Sequence, residues 1–288
     1  MAGNPPVGLS PVQLISLVAA IVTILTIGRQ GIVTAKHRGP ELIHRFRLVL
    51  WEAITKRALR PFWGMHLRDG CTLVLPTKDH TGVRNQPVWM RTMFLDYLGA
   101  AHLMMELNTA FDTTNVGWTQ SNTISQEQRD QNLISVAGPQ PNHITATLLQ
   151  QPEIVYRFPE NDETSTAADY HGRIISETSH DIVFEPIDQD GDVRRDFGII
   201  TKMKNPYNIH RDAVTICGVW GWGTKAGFEL LTHEETLQYL MNEGGEYFQA
   251  IYTVTIDEQD RTTQPHLIDL HPDDQLRKKT IVSLRYDG

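Results

Sequence analysis

Two stretches of this 288-residue chain combine residue types and spacing suited to holding a ligand. In LISVAGPQPNHITATLL, residues 133–149, Gly138, Pro139, Asn142 and Thr145 form the pattern GPxxNxxT. An apolar run, a turn and a helix follow one another there. Gly138 allows a sharp turn. Asn142 is placed to cap the helix. Backbone N–H groups near His143–Thr145 would face an anion if nothing else takes them. The second stretch, VTICGVWGWGTKAGFELL, spans residues 214–231, with Gly218, Gly221, Gly223 and Thr224 in GxxGxGT. Glycines there would let the backbone approach a ligand closely, with Thr224 as helix cap. Trp220 and Trp222 offer flat rings for stacking. The plainer reading is that Asn142 simply caps its helix in the first stretch, and that helix packs tightly on strand, with a tryptophan in the core, in the second.

The second pattern is neither the P-loop GxxxxGK[ST] nor the dinucleotide fingerprint GxGxxG. Between the two lies NPYN, where Asn205 and Asn208 flank a polar turn that would face the same cleft or serve only as a turn. Weaker signals do not assemble a reaction. Asp188, Asp190 and Asp192 read as a hairpin turn, because the glutamate that a calcium loop needs is replaced by Ile199. Neither HExxH nor GxSxG is present. Asp79, His143 and Glu229 are the nearest candidate acids and bases for hydrolysis of a nucleotide or its glycosidic bond. No metal site and no particular cofactor is implied.

The elements that must position these turns alternate. Strands are expected at residues 71–76, 132–137, 182–186, 197–203, 213–218 and 246–257, with a turn at Asp190-Gly191 between the third and the fourth. Helices are expected at 88–107, 142–151 and about 224–241. In the first of these, Met93, Leu95, Leu98, Ala101 and Met105 mark the apolar spacing. Residues 108–131 and 159–168 read as polar loops. This alternation predicts an α/β fold, a three-layer, Rossmann-like, largely parallel sheet with helices on both faces. Ligands bind such sheets at the carboxyl ends of the strands.

The arrangement GPxxNxxT, then an FGII strand ending in NPYN, then CGxxGxGT resembles a Rossmann-like domain of uncharacterised prokaryotic proteins. More loosely, it resembles the nucleotide-sensing domains of prokaryotic conflict systems. The resemblance spans roughly residues 132–231 and implies a nucleotide-like ligand at the two glycine turns. The strand CTLVLP lacks the acidic residue that a nucleotide-glycosidase analogue would carry there.

Charge is unevenly distributed. Residues 1–28 carry no charged side chain, and 12–27 read VQLISLVAAIVTILTI. Eighteen residues of helix span about 27 Å, near the lower limit for a bilayer core. Residues 29–69 hold nine Lys/Arg against Glu41, Glu52 and Asp69, leaving 17 basic and 31 acidic side chains elsewhere. Positive charge after the segment predicts a single-pass anchor, residues 1–28, with the body in the cytoplasm. A cleaved signal peptide and a buried helix are the alternatives. Residues 41–60 form an amphipathic pattern through Leu42, Phe46, Val49, Leu50 and Ala53. That basic stretch, part of a juxtamembrane segment 29–69, would lie on membrane lipid, pack on the domain, or pair with a second copy as a homo-oligomer. Residues 70–288 would form the α/β domain. The acidic body argues against nucleic acid. Cys71 and Cys217 lie far apart without metal spacing and read as buried thiols.

Three functions fit. One is a membrane-anchored binding or sensing module for a nucleotide-like or other anionic small ligand. Another is a nucleotide hydrolase or nucleoside glycosidase. The third is a structural scaffold that binds a protein partner and whose cleft is occluded.

Overall fold

The computed structural model describes residues 59–77, 87–111, 116–159, 172–177, 183–189, 192–259 and 261–272. The expected anchor, most of the amphipathic stretch at 41–60, Asp79 and nearly all of the loop at 159–168 lie outside the described residues. Among the described residues, no helix is long and apolar enough to cross a membrane.

Seven strands form the main path of the central sheet, in the order β11-β10-β8-β9-β3-β1-β2. They are β1 (Cys71–Leu75), β2 (Val116–Gln120), β3 (Asn132–Val136), β8 (Asp192–Asn205), β9 (Asn208–Gly218), β10 (Phe248–Thr255) and β11 (His266–Pro272). β2, β1, β3 and β9 pair in parallel. β8 runs antiparallel to both β9 and β10, and β11 antiparallel to β10. Five of the seven therefore point one way, and the parallel pairings are confined to one half. β1 and β3 are buried at every position, as central parallel strands must be.

The parallel expectation fails at residues 192–218. β8 and β9 are consecutive, joined by a two-residue turn at Pro206-Tyr207 rather than by a helix. The Asn205 Oδ1 accepts the Tyr207 N–H at 3.0 Å, which shapes that turn. A short β7 (Ile187–Gln189) pairs antiparallel with the start of β8, as expected of a hairpin around residues 190–191.

Two cores flank the sheet. One face carries α1 (Leu59–Arg68), α2 (Pro87–Ala110), α5 (Gly221–Thr232) and α6 (Glu234–Gly244), packed through residues such as Trp63, Leu103, Phe228 and Leu240. The other carries α4 (His143–Leu149) and a three-stranded sheet of β4 (Tyr156–Arg157), β5 (Ile174–Ser176) and β6 (Val183–Phe184). The layers are therefore three, but one outer layer is half sheet. The short α3 (Gln126–Arg129) starts with a capping box from Ser125 and Gln128.

Three expectations need correction. The domain core begins before residue 70, because α1 belongs to it. Trp63 is fully buried and its indole N–H donates to the Leu231 carbonyl at 3.1 Å. The polar stretch 108–131 contains β2 and α3. The expected helix at 224–241 is two helices, α5 beginning at Gly221 and α6 after a break at His233. Cys71 and Cys217 are buried free thiols, and burial raises the pKa of both.

Candidate functional site

β1 connects through α2 to β2 on one side, whereas the chain leaving β3 reaches β8 and β9 on the other. The strand order thus reverses between β1 and β3, and the carboxyl ends of these strands form the crevice where α/β sheets bind ligands. GPxxNxxT follows β3 and GxxGxGT follows β9. Because β3 and β9 are parallel, both turns lie at this end. A Cβ on Gly138 would sit 3.6 Å from the Gly218 carbonyl, so the two turns meet.

The first turn is closed by its own side chains. Asn142 is fully buried, and its Oδ1 accepts the Ile144 and Thr145 N–H groups at 3.0 and 3.2 Å. Those are the N–H groups expected to meet an anion. Its Nδ2 donates to the Val136 carbonyl at 2.8 Å, the Ser135 Oγ at 3.1 Å and the Val74 carbonyl at 3.2 Å. Asn142 therefore caps α4 and clips β1 to β3. Thr145 is buried as well, its hydroxyl 2.8 Å from that of Ser135. Thr77 and Ser121 hydrogen-bond the Pro141 carbonyl, and Tyr97 the Pro76 carbonyl, knitting the crevice floor. Ala137 ends β3 with a φ of 74°, a left-handed conformation that costs a non-glycine residue about 1–3 kcal/mol.

The second turn is filled by a residue from β8. The Asp196 carboxyl group accepts N–H groups from Gly223 at 2.5 Å, Phe197 at 2.8 Å and Trp220 at 3.2 Å. It fills the position that an anion would take at the N-terminus of α5. The glycines make room for protein, not for ligand. A Cβ on Gly223 would strike the Phe197 carbonyl. One on Gly218 would strike the Thr224 amide, and one on Gly221 would lie 2.5 Å from the Thr92 carbonyl. Thr224 does not cap the helix as expected; its hydroxyl accepts the Gly218 N–H at 2.9 Å. Trp220 and Trp222 are half-buried against the core.

Asn205 and Asn208 lie at the opposite end of the sheet, because their turn precedes β9. They donate to the carbonyls of Arg129, Gln131 and Asp130, and so staple the hairpin to the α3–β3 loop. The expectation that NPYN faces the same cleft is not met. Of the candidate acids and bases, His143 is exposed at the start of α4. Partial burial, then the charge of Arg129, lowers its pKa. Glu229 pairs with Lys225 at 2.8 Å. It lines a cleft of about 440 Å³ with His233, Thr236, Thr262 and Gln264, on the far part of α5 from the glycine turns. GPxxNxxT and GxxGxGT thus come together, while Asn205 with Asn208, and His143 with Glu229, stand on separate elements.

Sequence reasoning missed the buried acids. Asp196 and Asp96 are fully buried and electrostatically coupled. Burial pushes Asp96 up to about 7, against a smaller downward pull from the adjacent Thr224 hydroxyl. Neither of its oxygens meets a donor in good hydrogen-bond geometry. Burial likewise pushes Asp196 up to about 8, against the pull of its backbone donors. A lone acid in the apolar run MFLDYLGA was the signal for Asp96. A second buried cluster joins the Tyr156 hydroxyl to Asp269, with His271 Nε2 3.0 Å from both.

The chain matches no protein-family model, and no curated protein matches it.

Proposed function

We propose that the chain is a membrane-tethered interaction module, a scaffold that offers a surface to a protein partner rather than a cleft to a small molecule. The observation that carries this reading is the closure of both glycine turns by Asn142 and Asp196. An anionic ligand would have to displace groups that are buried and fully engaged. The glycosidase and hydrolase alternatives lose support, because His143 and Glu229, the two candidates among the described residues, stand on separate helices and do not converge. The tether rests on sequence: the uncharged apolar run at 12–27 and the basic stretch after it.

Thermal denaturation of the full chain in detergent micelles, with mononucleotides, dinucleotides and cyclic nucleotides, tests the reading. The expected result is no dose-dependent rise in melting temperature. A ligand bound only by the native state would add about 2.7 kcal/mol at a hundredfold excess over its Kd. A saturable rise of that kind would overturn the scaffold reading.

A second reading keeps a small ligand, nucleotide-like, in the crevice between β1 and β3. Ala137 favours it, since strained backbone concentrates at functional sites. In that case Ala137→Gly, which relieves the strain, would leave the fold intact and change affinity.

A further inference from the structure

Helix α2 is apolar on both sides. Leu95, Ala100, Leu103 and Leu107 are buried, and Gly99 abuts the Phe228 ring of α5. At 100° per residue the opposite face carries Phe94, Leu98, Ala101 and Met105. All four are exposed, Phe94 at 65% and Met105 at 68%. A helix apolar all round belongs in an interior, so this face requires a cover. The four positions are spaced four, three and four residues apart, which is the seam of a helix pair.

Their sizes suit a second copy running antiparallel. A two-fold axis at the middle of the stripe sets Phe94 against Met105 and Leu98 against Ala101, large against small or flexible. A parallel pair would instead place Ala101 on Ala101 and leave a gap. Antiparallel pairing also opposes the two helix dipoles. Gly99 and Thr92, on the other side of α2, abut α5, which packs on β8, β9 and β10, so the stripe faces the half of the sheet that ends at β2. Trp118 of that edge strand shares the sheet face of Val116, which packs on the helical core, and is 72% exposed. At about 200 Å² per large side chain, Phe94, Leu98, Met105 and Trp118 expose roughly 500 Å² per copy. Complete cover of these side chains in a pair would bury up to about 1,000 Å², which reaches the threshold for a specific interface.

We infer that α2 pairs antiparallel with α2 of a second copy, making the chain a homodimer through the Phe94–Leu98–Ala101–Met105 stripe. This rests on the interaction-module reading and names its partner.

The test uses the full chain in membranes. A Phe94→Cys copy and a Met105→Cys copy are expressed together, and disulfides are formed by air oxidation with a copper catalyst. Cys71 and Cys217 are fully buried and give no background. The expected product is a covalent heterodimer, with neither variant cross-linking alone, because in this arrangement each position lies about 16 Å along the axis from its own copy. In micelles the unmodified chain should have a dimer mass. Leu98→Glu should have a monomer mass with the circular dichroism spectrum of the folded chain, since Leu98 is 44% exposed, and a lower melting temperature, since the native state loses its partner. Self-cross-linking of Phe94→Cys alone, a monomeric parent chain, or a dimer that survives Leu98→Glu would overturn the inference. The nucleotide titration is read separately. A dimer that binds nucleotide sinks the scaffold reading and leaves the pairing standing, whereas a monomer that binds none does the reverse.

Discussion

Replacing Asn142 by alanine should unfold the β1–β3 end of the sheet more than any ligand-binding role would explain. The amide makes five hydrogen bonds from a fully buried position. Loss of the cap to α4 costs about 1 kcal/mol. Three buried acceptors, on Val74, Ser135 and Val136, each lose a donor. An orphaned buried group costs about 1–3 kcal/mol, at the low end where the carbonyl keeps a ladder partner. With all three at the low end the sum is about 4 kcal/mol, reduced if a water enters the vacated space. That is a large fraction of the roughly 5–15 kcal/mol that holds a domain together. Urea denaturation followed by tryptophan fluorescence reads it as a lower midpoint at unchanged slope. Asn142→Asp should be worse than alanine, since it keeps the cap but turns a buried charge towards two carbonyls. A loss under about 1 kcal/mol would refute the assignment, because it would mean that the amide is not engaged inside the fold.

Gly223→Ala should cost about 3 kcal/mol or more by the same assay, since its methyl group meets the Phe197 carbonyl and Asp196. Stability should fall as pH rises from about 4 towards 8, as Asp96 and Asp196 release protons that they hold in the native state. Their native pKa values lie above the unfolded value of about 3.9, so their contribution is complete below that pH and lost through the native values. The slope should approach 1.4 kcal/mol per pH unit for each proton, and Asp96→Asn should flatten it; denaturation midpoints across that range that do not move would refute the coupling. Tyr156→Phe should cost about 1–3 kcal/mol, because the buried Asp269 loses a donor. Burial works against the Asp269 carboxylate, but hydrogen bonds from His271 and Tyr156 outweigh it and lower its pKa. Its stabilisation is therefore lost as pH falls through the native value, and Tyr156→Phe should move that acid transition upward, as read by circular dichroism.

The apolar runs CTLVL, NLISV and AVTICG were legible as strands because a parallel interior admits little else. Asn142 was legible as a cap, since its partners lie within three residues. β2 was not, because VGWTQ is an edge strand that exposes its glycine and its tryptophan. The helix over α2 was legible, but its inward face was not. Leu98 and Met105 are as apolar as Leu103 and Leu107, and only burial in the core on that face distinguishes them. The filling of the second turn was hidden for a different reason. Asp196 lies 27 residues before Gly223, and no local pattern joins an acid on one strand to the amides of a helix two elements later.

Asp196 is, in effect, a ligand that the chain carries on its own sheet. A carboxyl group held by β8 within hydrogen-bonding distance of three amides competes with any free anion at an effective concentration that solution cannot match. The occupied cradle is thus also a latent one. Asp196→Ala would leave the same amides aimed at a space the size of a formate or acetate ion. The chain would then respond to anions in its surroundings, to which its own carboxyl group leaves it blind.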